Sequence, residues 1–339
     1  MNKIQEEDVQ QFARTFPLID SLKDSTFLIS GATGLIGSTL IHCLLALKAG
    51  TRIVAPVRNM QKASQLFSKE EQEGITFVSC DLQSTDFLQF GAVDYIVHCA
   101  APTSSSFFVS HPVETFDSII EITRHLLSYA RQTKPKGFLY LSSLEVYGTI
   151  NDDSVMISEG VQGYLDPLSV RSSYPMAKRA AETLCHLYAQ EYGLPITIAR
   201  LTQTTGAGIA ADDNRVIAQF ARLAARREDI ILHTTGESAR PYCYTTDSIS
   251  AMLHILLKGE GGAAYNVANE DTYISARGMA EYLQKNFAPE ISIHIQPDSS
   301  HGYAPATKQR LSTQRLQALG WKPQYGLKEI FERLIASME

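Results

Sequence analysis

Three glycines, Gly31, Gly34 and Gly37, fall where an apolar run, Thr26-Phe-Leu-Ile-Ser30, gives way to a helical pattern running from Leu35 to Lys48. A strand that turns this sharply into a helix needs residues without a Cβ at the bend, and it returns the chain across a sheet face. Four further apolar segments follow before residue 145: Arg52–Val57, Ile75–Val78, Asp94–His98 and Gly137–Ser142. A long amphipathic stretch from Pro112 to Thr133 precedes the last of these, and another from Tyr174 to Tyr192 precedes Pro195–Arg200. Short apolar strands alternating with helices imply an α/β fold with a parallel sheet covered on both faces, a Rossmann-type doubly wound arrangement.

The rhythm changes after residue 200. Helices near 213–227, 245–258, 275–286 and 326–337 mix with short strands at 230–232, 265–267 and 291–295. We therefore expect a dinucleotide-binding domain over 1–200 and a smaller α+β substrate domain over 201–339, with part of 243–268 returning to the first. Residues 1–25 form a polar, amphipathic lead-in, expected to be a helix packed on the body, and Pro297–Pro305 is a loop of turn formers. The net charge of −6 gives no basic surface for nucleic acid, and no apolar run approaches the ~20 residues of a membrane helix. The acidic first residues lack a signal-peptide core. The five cysteines are scattered, and Cys43, Cys80 and Cys99 sit in apolar patterns as reduced core residues, so a cytoplasmic location is expected.

The glycine turn opens a helix whose first N–H groups lack partners, a ready site for a pyrophosphate. Gly31 permits the turn, Gly34 admits close backbone approach, and Gly37 lets helix and strand pack. After the second strand stand Arg58 and Asn59, where an acidic residue would accept hydrogen bonds from a ribose. Arg58 can instead pair with a 2′-phosphate, with Lys62 one turn on, so NADP(H) is favoured over NAD(H); a surface arginine at a strand end is the other reading. Asp81 and Leu82 follow the third strand and can hydrogen-bond and pack on adenine. Ala100 and Ala101 follow the fourth as small residues beside the cofactor, and His98 reads as a buried strand-end histidine. Tyr174 and Lys178 share a helix face at i and i+4, so the ammonium is expected to lower the phenol's pKa toward a usable base. That spacing alone also fits an amphipathic helix with a buried tyrosine. Combined with the glycine turn and Ser142-Ser-Leu-Glu-Val-Tyr-Gly148, it describes a nicotinamide site with its own acid–base pair.

These motifs resemble the extended branch of the short-chain dehydrogenase/reductase superfamily, the nucleotide-sugar epimerases, dehydratases and decarboxylases, over roughly residues 25–335. Arg240-Pro-Tyr-Cys-Tyr-Thr-Thr-Asp247 and Leu319-Gly-Trp-Lys-Pro323 are similar to two further stretches of that family. The resemblance implies Tyr174 as the proton-transfer residue, Lys178 as the ribose-orienting lysine and Ser143 as the partner of the reacting oxygen. It also implies cofactor contacts from Thr33, Leu35, Ile36 and Ser142, and substrate contacts from Gln203 and Arg240, the latter on a diphosphate. Glu145 matches the glutamate that moves a proton beside the new ketone in the dehydratases, although a strand-end glutamate with a structural hydrogen bond fits equally. Leu144, Gln203 and Ile119 depart from the family's residues at their positions and leave the sugar open.

The resemblance therefore implies an enzyme that oxidises a sugar carbinol at C4 on a nucleotide-sugar substrate. An NADPH-dependent reductase of a nucleotide-linked keto sugar is the alternative, and a non-catalytic nucleotide-binding protein is a third, which Ser143, Tyr174 and Lys178 oppose. A homodimer built on the helices 112–133 and 174–192 is expected, with no metal.

Overall fold

In the computed structural model, described for residues 1–297 and 306–338, the chain opens with α1 (Lys3–Thr15), β1 (Thr26–Ser30), α2 (Leu35–Ala46) and β2 (Arg52–Val57). Next come α3 (Met60–Leu66), α4 (Lys69–Glu73), β3 (Ile75–Ser79), β4 (Tyr95–His98), α5 (Ser105–Ser110) and α6 (Pro112–Thr133). The middle holds β5 (Gly137–Ser143), α7 (Ser173–Tyr192), β6 (Ile196–Leu201), β7 (Gln203–Thr205), α8 (Val216–Arg226) and β8 (Ile230–Leu232). The chain then runs through β9 (Ala239–Tyr244), α9 (Thr245–Lys258), β10 (Ala264–Val267), β11 (Asn269–Ser275), α10 (Ala276–Asn286) and β12 (Ile293–Ile295). It finishes with α11 (Gln314–Gln317) and α12 (Leu327–Ala336). The loop expected over Pro297–Pro305 lies, past its first residue, outside the described residues.

Seven strands form one sheet in the order β10-β6-β5-β4-β1-β2-β3, and each neighbouring pair is parallel. The doubly wound sheet is thus present. Alternation along β1 explains the layering. Phe27 and Ile29 join one buried cluster with Leu40 and Leu44 of α2 and Met252 of α9, while Leu28 joins the other with Leu126 of α6 and Ala181 of α7. The strand order reverses between β1 and β4, and the chain leaves both strands there at their carboxyl ends, where such sheets take ligands. Among the described residues no helix is long and apolar enough to cross a membrane.

A second sheet, β11-β9-β7, pairs β7 parallel and β11 antiparallel with β9. Neither β9 nor β11 is expected from the sequence. Pro241 interrupts one, and the other, Asn-Glu-Asp-Thr-Tyr-Ile-Ser, is polar and bulged between Asn269 and Ile274. Helix α2 also ends before the expected Lys48, which takes a left-handed φ of 52° ahead of Gly50. Helix α8 starts later than expected because Arg215 folds back on Asp213, its Nη2 at 2.6 Å from the carboxylate.

Helix α1 is capped reciprocally by Asn2 and Gln5, and Asn2 also donates to the Ala207 carbonyl at 2.8 Å. Its buried Asp8 accepts from the Tyr244 hydroxyl and from Arg333 of α12, each at 2.5 Å. The first helix is thereby joined to the last.

Candidate active site

The glycine turn is shaped by close backbone approach. Gly31 has a φ of +72°, and a Cβ there would lie 2.8 Å from the Ala100 nitrogen at the end of β4. A Cβ on Gly37 would lie 2.3 Å from the Gly31 carbonyl oxygen, whereas one on Gly34 would meet that oxygen at an ordinary 3.4 Å. Gly34 is the N-cap of α2 and offers no side-chain cap. The first N–H groups of the helix, around Leu35 and Ile36, are left to an external acceptor, and the dipole favours an anion. The turn with Thr33 therefore fits a dinucleotide pyrophosphate.

The surroundings follow the same sheet edge. Arg58 and Asn59 leave β2 exposed, and the Asn59 side chain caps α3 by accepting from Lys62 N at 2.8 Å. Asp81 accepts from Gln83 N at 3.1 Å, and Leu82 is buried beside it. Ala100 N donates to Ser30 Oγ at 3.2 Å, with Ala101 next in the chain. His98 is held between Ser30 Oγ at 2.8 Å and Thr123 Oγ1 at 3.1 Å; burial pulls it down to about 3, so it stays neutral. Ser142, the penultimate residue of β5, keeps a buried hydroxyl with no hydrogen-bond partner, a polar atom still to be satisfied.

Tyr174 and Lys178 are both buried on α7. Lys178 Nζ donates to the Leu141 carbonyl at 2.7 Å and lies 4.8 Å from the Tyr140 ring centre but 5.8 Å from that of Tyr174. The expectation that the ammonium lowers the phenol's pKa is corrected by this geometry. Burial first, then the Glu145 carboxylate, push the Tyr174 phenol above its ordinary 10, against opposing pulls from the Ser143 hydroxyl and Arg171. Burial also draws Lys178 down to about 8, with Glu182 as the largest opposing influence. Spacing reports that two residues share a face; it does not report how dry the face is.

Ser143 ends β5, and its Oγ accepts from Glu145 N at 3.2 Å. Glu145 lies in the following 3-10 turn, Leu144–Tyr147, and its two carboxylate oxygens are 3.1 and 2.9 Å from Arg171 Nη2. Arg171 stacks over Phe108 at 5.3 Å, and Phe108 lies parallel to Tyr174 at 4.2 Å and 7°. Neither Arg171 nor Phe108 stands out in the sequence; Arg171 reaches Glu145 only through a loop that folds back across 26 positions.

A buried scaffold supports these groups. Arg200 donates from Nε and Nη2 to Glu182, one turn beyond Lys178, and from Nη1 to the Tyr147 hydroxyl at 3.0 Å. Tyr147 in turn donates to Asn266 at 2.6 Å. Asp247, at the start of α9, accepts from Gln324 N and Tyr325 N at 3.0 Å, its backbone carbonyl accepts from the Trp321 indole at 3.1 Å, and burial raises its carboxyl to about 7. Two stretches 74 residues apart in the sequence thus meet. Gln203, on β7, has a buried Oε1 with no hydrogen-bond partner, and Arg240 lies half-buried two residues before Tyr242, which is in register with Gln203. Among the described residues no group of acidic, histidine or cysteine side chains could hold a metal.

Residues 27–268 match the model of the NAD dependent epimerase/dehydratase family. UDP-glucuronic acid decarboxylase 6 of Arabidopsis thaliana is 28% identical over 321 residues, covering 92% of this chain and 90% of that one. In fold the chain is similar to UDP-glucuronic acid 4-epimerase from Bacillus cereus, solved with UDP-glucuronic acid and NAD (TM-score 0.77, 22% identity, 92% and 98% covered). It is also similar to RMD from Pseudomonas aeruginosa, solved with NADPH (TM-score 0.71, 24% identity, 93% and 99% covered).

Proposed function

The chain belongs to the NAD dependent epimerase/dehydratase family, and from that premise we propose that it oxidises the C4 carbinol of a nucleotide-linked sugar and then acts on the ketone. UDP-glucuronic acid, named in the relatives at 28% identity, is the first substrate to test. The observation that carries the reading is the placement of Glu145 where its charge acts on Tyr174, with Ser143 beside both. When bound, the dinucleotide supplies the hydride acceptor and later donor. The glycine turn would hold its pyrophosphate, Ala100, Ala101, Asp81 and Leu82 would border it, and Ser142 and Lys178 would be the groups for its nicotinamide ribose. Tyr174 is the proton-transfer group at the hydroxyl, and with its phenol held above 10 by burial it would need the positive charge of the oxidised nicotinamide to act as the base; Ser143 donates to the reacting oxygen, and Gln203 and Arg240 hold the glycosyl diphosphate. With a uronic acid the C4 ketone is β to the carboxylate. The C5–carboxylate bond breaks, carbon dioxide leaves, and the electron pair enters an enolate that must be protonated at C5. Glu145 is the group placed to move that proton.

The substrate part over 201–339 belongs to the same proposal, supported by the β11-β9-β7 sheet, with Ala264–Val267 returning to the large sheet. A homodimer is supported by exposed apolar side chains on the two long helices: Val113, Phe116 and Leu187. A net reductase is the second reading. Arg58, exposed directly after β2, favours it, because a 2′-phosphate partner suits NADPH, the usual consumed reductant.

The test is incubation of the purified protein with either oxidised cofactor and a panel of UDP-, dTDP- and GDP-sugars, followed by mass spectrometry. Loss of carbon dioxide, loss of water, unchanged mass with a new isomer, or, with a keto sugar and NADPH, gain of two hydrogens identifies decarboxylation, dehydration, epimerisation or reduction. In parallel, Tyr174→Phe is expected to bind dinucleotide but lose nearly all turnover. A Tyr174→Phe protein with most of its activity intact would overturn the mechanism.

A further inference from the structure

We propose that Arg171 is a positioning residue for Glu145, holding the carboxylate beside Ser143 and Tyr174 so that the step after oxidation proceeds. The proposal rests on the reading of Glu145 as the group that moves a proton beside the ketone. Four contacts form one line. Glu145 N donates to Ser143 Oγ, the Glu145 carboxylate meets Arg171 Nη2 through both oxygens, the Arg171 guanidinium covers Phe108, and Phe108 stacks on Tyr174. Ser173, beside Tyr174, also donates to the Phe108 carbonyl at 3.1 Å, so α5 is tied to the start of α7.

This pair is not placed for folding. The two side chains are 35% and 31% exposed, and ion pairs so open to water add little stability. Their location beside the reacting groups is what distinguishes them. A carboxylate on a free 3-10 turn would sample several rotamers, and misplacement of a proton-transfer group by about 1 Å can cost a hundredfold in rate. The planar guanidinium also offsets the charge that Glu145 directs at Tyr174, since the two groups act on that phenol with opposite sign. Arg171 thus partly offsets the effect of the Glu145 charge on the Tyr174 phenol while holding the carboxylate beside it.

Four proteins test the idea: Arg171→Met, which keeps an apolar stem on Phe108 but loses the charge; Arg171→Lys; Glu145→Gln; and the double variant Arg171→Met/Glu145→Gln. With UDP-glucuronic acid and oxidised cofactor, Arg171→Met is expected to retain the initial appearance of reduced cofactor while product forms roughly ten- to a hundredfold more slowly. Arg171→Lys should recover part of that loss, and the double variant should be no slower than Glu145→Gln alone. A second measurement needs no turnover. The infrared carboxylate band that disappears in Glu145→Gln should shift in Arg171→Met. An unmoved band, an equal loss in the oxidative step, or additive losses in the double variant would each overturn the proposal. Wild-type protein that neither reduces cofactor nor alters any sugar would sink the functional reading instead, and the infrared band would then decide whether Arg171 holds Glu145.

Discussion

Gly34 and Gly37 sit three residues apart in the same turn, yet alanine at each should fail in a different way. At Gly37 the new Cβ would lie 2.3 Å from the Gly31 carbonyl oxygen and 2.9 Å from its carbonyl carbon, both backbone atoms. Restoring an ordinary contact of about 3.4 Å requires strand end and helix to separate by roughly 1 Å. Overpacking of this kind costs about 1–3 kcal/mol. With an unfolding entropy near 2.1 cal/mol/K per residue, a chain of 339 residues would lose about 1.4–4 °C in Tm. At Gly34 the Cβ meets nothing closer than 3.4 Å, and φ is −86°, so Gly34→Ala should melt within about 1 °C of wild type, as expected for a cost of about half a kcal/mol. Its methyl would instead stand over the free N–H groups and hold a pyrophosphate away. Gly34→Ala should therefore weaken dinucleotide binding at least tenfold, equivalent to about 1.4 kcal/mol. Calorimetry for melting and fluorescence titration with NADH and NADPH for binding separate the two cases. A Gly37→Ala protein with wild-type Tm, or a Gly34→Ala protein that binds normally, would refute the reasoning.

Lys178 should impose an upper pH limit. Burial lowers its pKa from 10.5 to about 8, so dinucleotide affinity and turnover should fall as pH rises above about 8; a limb near 10 would contradict this. The sign for stability is opposite. A depressed lysine costs most below about 8, and its penalty fades between about 8 and 10.5, where the unfolded chain binds the extra proton. Arg58→Asp should move preference from NADPH toward NADH by roughly ten- to a hundredfold, read as a ratio of dissociation constants; wild-type protein that binds both equally would remove the basis for it. Phe116→Asp, at an exposed apolar position of α6, should turn a dimer into a monomer in sedimentation at micromolar concentration, and a wild-type monomer would count against the pairing.

The parts legible in the sequence are those where one local signal decides the structure. The strand–turn–helix over residues 26–46 is set by three glycines, and α6 starts at Pro112 where the apolar period begins. The long stripe of α7 places Tyr174, Lys178 and Glu182 at steps of four, and all three are buried. What stayed hidden depends on distant partners. Helix α5 has six residues, too few to show a period, and β11 is polar because its ladder to β9 lies in the smaller sheet. Glu145 looks like a strand-end acid until residue 171 is brought beside it. The titration of Tyr174 is not legible for a related reason: a helix face gives neighbours, while burial, which dominates here, is a property of the whole fold.

The tie between α1 and α12 bears on the order in which the protein is made. Asp8 finds its hydroxyl partner 236 residues later and its guanidinium partner 325 residues later. A thirteen-residue helix is marginal on its own in water, so α1 is fixed by partners that follow it far along the chain. Until Arg333 emerges, docking α1 would bury a carboxylate without its counter-ion, which opposes early closure. In a chain stopped short of α12, docking Val9, Phe12 and Phe16 into the core they share with α2 and α9 carries the cost of burying Asp8 without its guanidinium.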